Sequence, residues 1–75
     1  MTINYRKLWK LLIDRRMKKT DLLKEADIST TTLSRLSKDQ IVSMEVMRRI
    51  CNALNCDIGD VMEMLPVDDE EKSIK

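Results

Sequence analysis

The chain has 75 residues, 36% of them charged and 43% hydrophobic, with a formal net charge of +1. That leaves room for one small domain, and the balance of charge and hydropathy excludes an intrinsically disordered chain. There is no histidine and there are two cysteines, so the commonest general base and the commonest neutral metal ligand are both missing.

A single glycine and a single proline favour helices joined by short turns over a β-rich fold. With one Trp, one Tyr and no Phe, the core has to be built from Leu, Ile and the six methionines. No run of about 18 apolar residues exists, so a membrane span is not expected. The opening residues, Met1-Thr2-Ile3-Asn4, lack the basic-then-apolar order of a signal peptide, and the expected location is the cytoplasm.

Asn4 is suited to cap a first helix, expected from Tyr5 to about Arg16. Tyr5, Leu8, Trp9, Leu11 and Leu12 recur at helical spacing and give it an apolar stripe. After Met17 a short second helix runs from Lys18–Thr20 to Ala26, with Asp21 placed to suit its positive end and Leu22, Leu23 and Ala26 on its buried edge. Asp27-Ile28 forms a tight turn. Ser29 then caps a third helix, Thr30 to Ser37 or Lys38, anchored by Leu33 and Leu36.

Ser43 caps a fourth helix, Met44 to Leu54, with Val46, Met47, Ile50, Cys51 and Leu54 along one side. Asn55 is a plausible stop in left-handed (αL) geometry. Asp57 and Asp60 mark the start of a fifth helix, Ile58 to Leu65, which Pro66 ends. Residues 1–66 therefore read as one all-α domain of five helices. Residues 67–75, with "DDEEK", read as an acidic tail expected to be frayed or disordered.

Charge is unevenly spread. Residues 1–38 carry ten Lys/Arg against four acids, Asp14, Asp21, Glu25 and Asp27, whereas residues 39–65 carry two Arg against five acids. A basic half of this kind is what a phosphate-binding face needs, and a net charge near zero does not exclude it. The basic half also contains a short helix, a turn and a second helix whose inner edge is Leu33 and Leu36. That is the helix-turn-helix arrangement, in which the second helix can enter the major groove.

The stretch "ADISTTTLSRL" (Ala26 to Leu36) resembles the end of the helix-turn-helix of phage repressor and Cro-like regulators, the XRE family. "SMEVMRRICNALNCDIGDVME" (Ser43 to Glu63) resembles that family's last two helices. The resemblance covers about residues 5 to 65 and is strongest to small stand-alone bacterial members. It implies a lambda-repressor-like fold with the helix-turn-helix at about residues 18–38. Two positions depart from the pattern: the usual turn glycine is Asp27, a residue that tolerates αL geometry better than most, and the usual alanine inside the first motif helix is Leu23.

The resemblance implies roles for individual residues. Thr30, Thr31, Ser34 and Arg35 fall where family members address base edges, Thr by hydroxyl or methyl and Arg by a bidentate bond to guanine. Lys18, Lys19, Thr32 and Lys38 fall where phosphates are contacted, which positions the protein without choosing a sequence. Taken alone, the Thr30–Thr32 run reads equally well as a solvated helix face. The cations of the first helix (Arg6, Lys7, Lys10, Arg15, Arg16) read as solubility and long-range attraction.

Cys51 and Cys56 invite a metal or disulfide reading. However, two thiols with no further ligand pair do not complete a tetrahedral site, and a cytosolic chain keeps them reduced, so they read as core fillers. Trp9 reads as core too. Asp57 and Asp60 read as capping residues. Met44, Met47, Met62 and Met64 read as core or as a sticky surface for dimerisation. The expected function is sequence-specific binding of double-stranded DNA by a transcriptional regulator, without a cofactor or catalysis, as a homodimer formed or strengthened on DNA. The alternative is an antitoxin-like accessory module that acts through a protein partner.

Overall fold

The computed structural model describes residues 1–66, and the expected acidic tail at 67–75 lies outside them. Four α-helices follow one another: α1 (Arg6–Asp14), α2 (Lys19–Ala26), α3 (Thr30–Ser37) and α4 (Met44–Leu54). They are joined to a two-stranded antiparallel sheet of β1 (Thr2–Asn4) and β2 (Glu63–Leu65), in the register Thr2 to Leu65, Ile3 to Met64 and Asn4 to Glu63. No helix among the described residues is long and apolar enough to cross a membrane.

The expected fifth helix, Ile58 to Leu65, does not form. Ile58–Asp60 makes one 3-10 turn and the chain then extends into β2. The start signal was real: the Asp57 carboxylate accepts the Ile58 N–H at 2.8 Å, and the Asp60 carboxylate accepts the Asp57 N–H at 3.0 Å. These reciprocal bonds close a single turn, and a helix nucleus so short gains little from propagation through Gly59 and β-branched Val61. Val61 is instead fully buried, and its carbonyl accepts the Leu8 N–H at 3.2 Å. Beyond it, β2 finds a partner in the β-branched start of the chain.

Every α-helix ends in the same way. Arg16, Asp27, Asp39 and Asn55 follow α1, α2, α3 and α4, and all have positive φ, between 52° and 57°, while the single glycine does not. At each end the next residue's N–H reaches back five positions to a helical carbonyl: Met17 to Leu12 (2.8 Å), Ile28 to Leu23 (3.2 Å), Gln40 to Arg35 (2.9 Å) and Cys56 to Cys51 (3.0 Å). This is the closure that satisfies orphan carbonyls at a helix end and sets the first and last residues of the turn side by side. Asp and Asn visit αL at modest cost. Arg16 has no such local advantage.

The core lies between the helices and the Val61 turn, and consists of Tyr5, Leu8, Leu12, Leu22, Ala26, Leu36, Met47, Ile50, Leu54 and Val61. The methionines divide: Met47 is buried, Met62 packs against the core, and Met44 and Met64 are exposed. Trp9, Cys51 and Cys56 pack on the core edge, half-buried rather than enclosed.

Of the helices, α4 packs most extensively on α2. Glu45 on its first turn organises two arginines, bonding Arg48 at 2.7 and 2.9 Å and Arg49 at 3.0 Å. Arg49 in turn donates to the Asp27 carbonyl at 2.8 Å. The hydrogen bonds from Arg48 and then Arg49 hold the Glu45 carboxyl down at about 2.

Two outcomes follow from these features. Arg16→Gly should raise stability by about 0.5–1 kcal/mol by relieving αL strain, read as a higher urea midpoint with an unchanged slope. Glu45 has a depressed pKa, so its contribution is present above the ordinary value of 4.5 and is lost as pH falls toward 2. A carboxylate NMR titration should place Glu45 near 2, and Glu45→Gln should remove that part of the acid response.

Candidate nucleic-acid interface

Ser29 starts α3 by accepting the Thr32 N–H at 3.1 Å, replacing one of the helix's orphan donors. Leu36 is fully buried and Leu33 packs on the core, so these two residues fix which side of α3 faces outward. The outward residues Thr30, Thr31, Ser34 and Arg35 line one shallow groove of about 430 Å³ together with Lys38 and Gln40. All four of the residues expected to address base edges thus share a surface. No carboxylate of the described residues pairs with the Arg35 guanidinium.

The expected phosphate residues are more scattered. Lys38 lies in the same groove as the four residues expected to address bases. Thr32 is half-buried and its hydroxyl is 3.0 Å from that of Ser29, so it serves the helix cap. Lys18 precedes α2, where its backbone N–H donates to Asp21 at 2.8 Å. Lys19 has its ammonium 4.3 Å from the centre of the Trp9 ring and donates to Ser37 Oγ at 3.3 Å. It therefore sits between α1 and the last turn of α3, held by a cation–π contact, while remaining exposed.

Sequence reasoning missed Gln40. Its place in the groove depends on Asp39, whose αL geometry turns the chain back so that Gln40 N–H meets the Arg35 carbonyl. A signal was present: Asp at the end of a helix is one of the few residues that enter αL readily. Tyr5 secures this corner from the other side. Its hydroxyl donates to the Gln40 carbonyl at 2.7 Å, and its N–H donates to Asp39 Oδ1 at 3.2 Å. Burial, followed by the nearby Asp39 charge, pushes the Tyr5 pKa up, which keeps the hydroxyl a donor.

Away from the groove four cations are paired with carboxylates. Arg6 and Lys7 lie 3.3 and 3.8 Å from the Glu63 carboxylate, and Arg48 and Arg49 bond Glu45. The turn between α2 and α3 survives the loss of its glycine: Asp27 takes φ 54° and ψ 53°. Leu23, at the second departure from the family pattern, is half-buried while Leu22 takes the interior position.

A family model of the Cro/C1-type helix-turn-helix DNA-binding domain matches residues 7–66. Comparison with curated proteins returned no match. Among solved structures the chain is similar to the crystal structure of the transcriptional regulator VanUg, Form II, at 48% identity and a TM-score of 0.83, covering 88% of each chain. The family match runs from the first helix through the α2–turn–α3 unit to the last strand, and the chain belongs to the Cro/C1-type helix-turn-helix DNA-binding family.

Proposed function

We propose that this protein regulates transcription by binding a specific double-stranded DNA sequence with α3 in the major groove. The observation that carries this reading is the shared outward groove of Thr30, Thr31, Ser34 and Arg35 on a helix whose opposite side is locked into the core. Short hydroxyl side chains let the helix approach base edges, and Arg35 is long enough to bond a guanine bidentately. The 48% identity to a transcriptional regulator supports the same role.

In this reading Lys18, Lys19, Thr32 and Lys38 serve the phosphates, Thr32 through the helix start that it helps to cap. Trp9 and Ser37 hold the Lys19 ammonium in place for that contact. One copy reads only a few base pairs. We infer a homodimer on half-sites about 34 Å apart, formed or strengthened on DNA, with the exposed Ile41 of the loop before α4 and Met44 at the start of α4 as one available contact surface. The work is done by binding, in the cytoplasm, without a cofactor.

Affinity for a fragment of the protein's own promoter region should fall steeply with salt, as counterions are released. Arg35→Ala should cost about 1–3 kcal/mol on the preferred sequence and little on random duplex. Lys19→Ala should weaken both alike and flatten the salt slope by about one. Gel shifts across a salt series decide the matter. The absence of binding to any duplex would turn the reading toward a protein partner, and equal losses on both DNAs for both variants would mean the roles are misassigned. Sedimentation with a duplex carrying two half-sites should show two copies bound where a single half-site binds one.

A further inference from the structure

The closure that ends α4 brings two reactive side chains together, away from the α3 groove. At α1 the residues flanking the closure are Leu12 and Met17, both on the core, and at α2 they are Leu23 and Ile28, of which Ile28 packs on the core. At α4 they are Cys51 and Cys56. The Cys56 N–H meets the Cys51 carbonyl at 3.0 Å across Asn55 in αL. With standard bond lengths on either side of that contact, the two Cα atoms are at most about 7 Å apart, the outer limit for a disulfide. A free thiol pair stands where two of the other three helices carry a pair of apolar residues.

Both thiols also open to the surface. Cys51 borders a groove with Met44, Met47 and Ile58, and Cys56 borders one between α1 and the Asp57–Asp60 turn with Leu11 and Arg15. We propose that Cys51 and Cys56 form a dithiol site that closes to an intramolecular disulfide when a small-molecule disulfide is the oxidant. The Cys56 thiolate attacks one sulfur of the oxidant, forming a mixed disulfide and expelling the first thiolate. The Cys51 thiolate then attacks the Cys56 sulfur and expels the second. One oxidant S–S bond breaks and one protein S–S bond forms. The protein is oxidised by two electrons, the oxidant is reduced by two, and the two cysteine protons end on the released thiols.

Cys56 is taken as the first nucleophile because its groove also holds the Arg15 cation. Burial pushes both thiols up; the neighbouring Cys56 thiol and the Asp57 and Asp60 charges raise Cys51 further, while at Cys56 the Cys51 thiol and then Arg15 offset part of the rise. Closure should therefore quicken as pH rises above neutral, since the thiolate is the attacking species. The disulfide would staple the end of α4 directly over its αL turn.

The test treats the full chain with oxidised glutathione and follows intact mass and melting. The expected product is a monomer lighter by about 2 Da with no retained glutathione. It should melt about 5–10 °C above the reduced protein, because the link constrains the unfolded chain. Cys51→Ser and Cys56→Ser should each stop at a single glutathione adduct. Should either variant fail to fold, the mass and melting midpoint of the unaltered chain still decide. Retained glutathione on both cysteines, thiols that remain free, cross-linked dimers, or an oxidised form that melts below the reduced one would each overturn the proposal.

Discussion

The left-handed residue at the end of each helix is the constraint on which the rest of the molecule depends. Helices of 8 to 11 residues are marginal alone in water and need tertiary packing. To pack within one small core, the chain must turn sharply after each helix, and Arg16, Asp27, Asp39 and Asn55 provide those turns. A non-glycine residue in αL costs roughly 1 kcal/mol, so four of them are a large charge against a domain whose net stability is of order 5–15 kcal/mol. The backbone bond reaching back five residues offsets part of that cost. Three of the four sites are Asp or Asn, the residues that reduce it.

The same turns set the geometry of the α3 surface. Asp27 fixes how the chain enters α3 and Asp39 how it leaves. Each turn is then held by a residue distant in sequence: the Arg49 side chain donates to the Asp27 carbonyl, and Tyr5 donates its N–H to the Asp39 carboxylate and its hydroxyl to the Gln40 carbonyl. The two anchors come from α4 and from the junction of β1 with α1. A helix fixed at both ends and along its inner edge presents its outer side chains with little reorganisation left to make, which is what a fitted contact with a groove requires.

Much of this was legible in the sequence because it is local. Ser29 and Ser43 cap α3 and α4 as their positions promise, Asn55 stops α4 in αL, and the bounds of α4 coincide with its apolar pattern. The parts that were not legible are non-local. Thr2 pairs with Leu65, and no window of sequence shows that the opening residues will recruit a strand from the far end. The Asp57–Asp60 signature reads the same for one turn as for a whole helix, so the choice fell to Val61, which gains more in the core than on a helix. Arg16 gave no αL signal at all. The four outward residues of α3 were readable because Leu33 and Leu36 fix the helix's rotation, whereas Gln40 required knowing how the chain turns after Lys38.

Charge shows how a protein of net +1 can still present a usable surface. The basic first half is not uniformly available: Glu63 takes up Arg6 and Lys7, and Glu45 takes up both arginines of α4. Arg35 and Lys38 flank the groove with no carboxylate of the described residues on either. Lys19 is held by an aromatic face and a hydroxyl, contacts that leave its charge intact. The ion pairs of the described residues thus fall on Arg6, Lys7, Arg48 and Arg49 and not on α3. On the proposed reading, phosphate contacts supply affinity for any duplex, and the contacts made by α3 supply the part that differs between sequences.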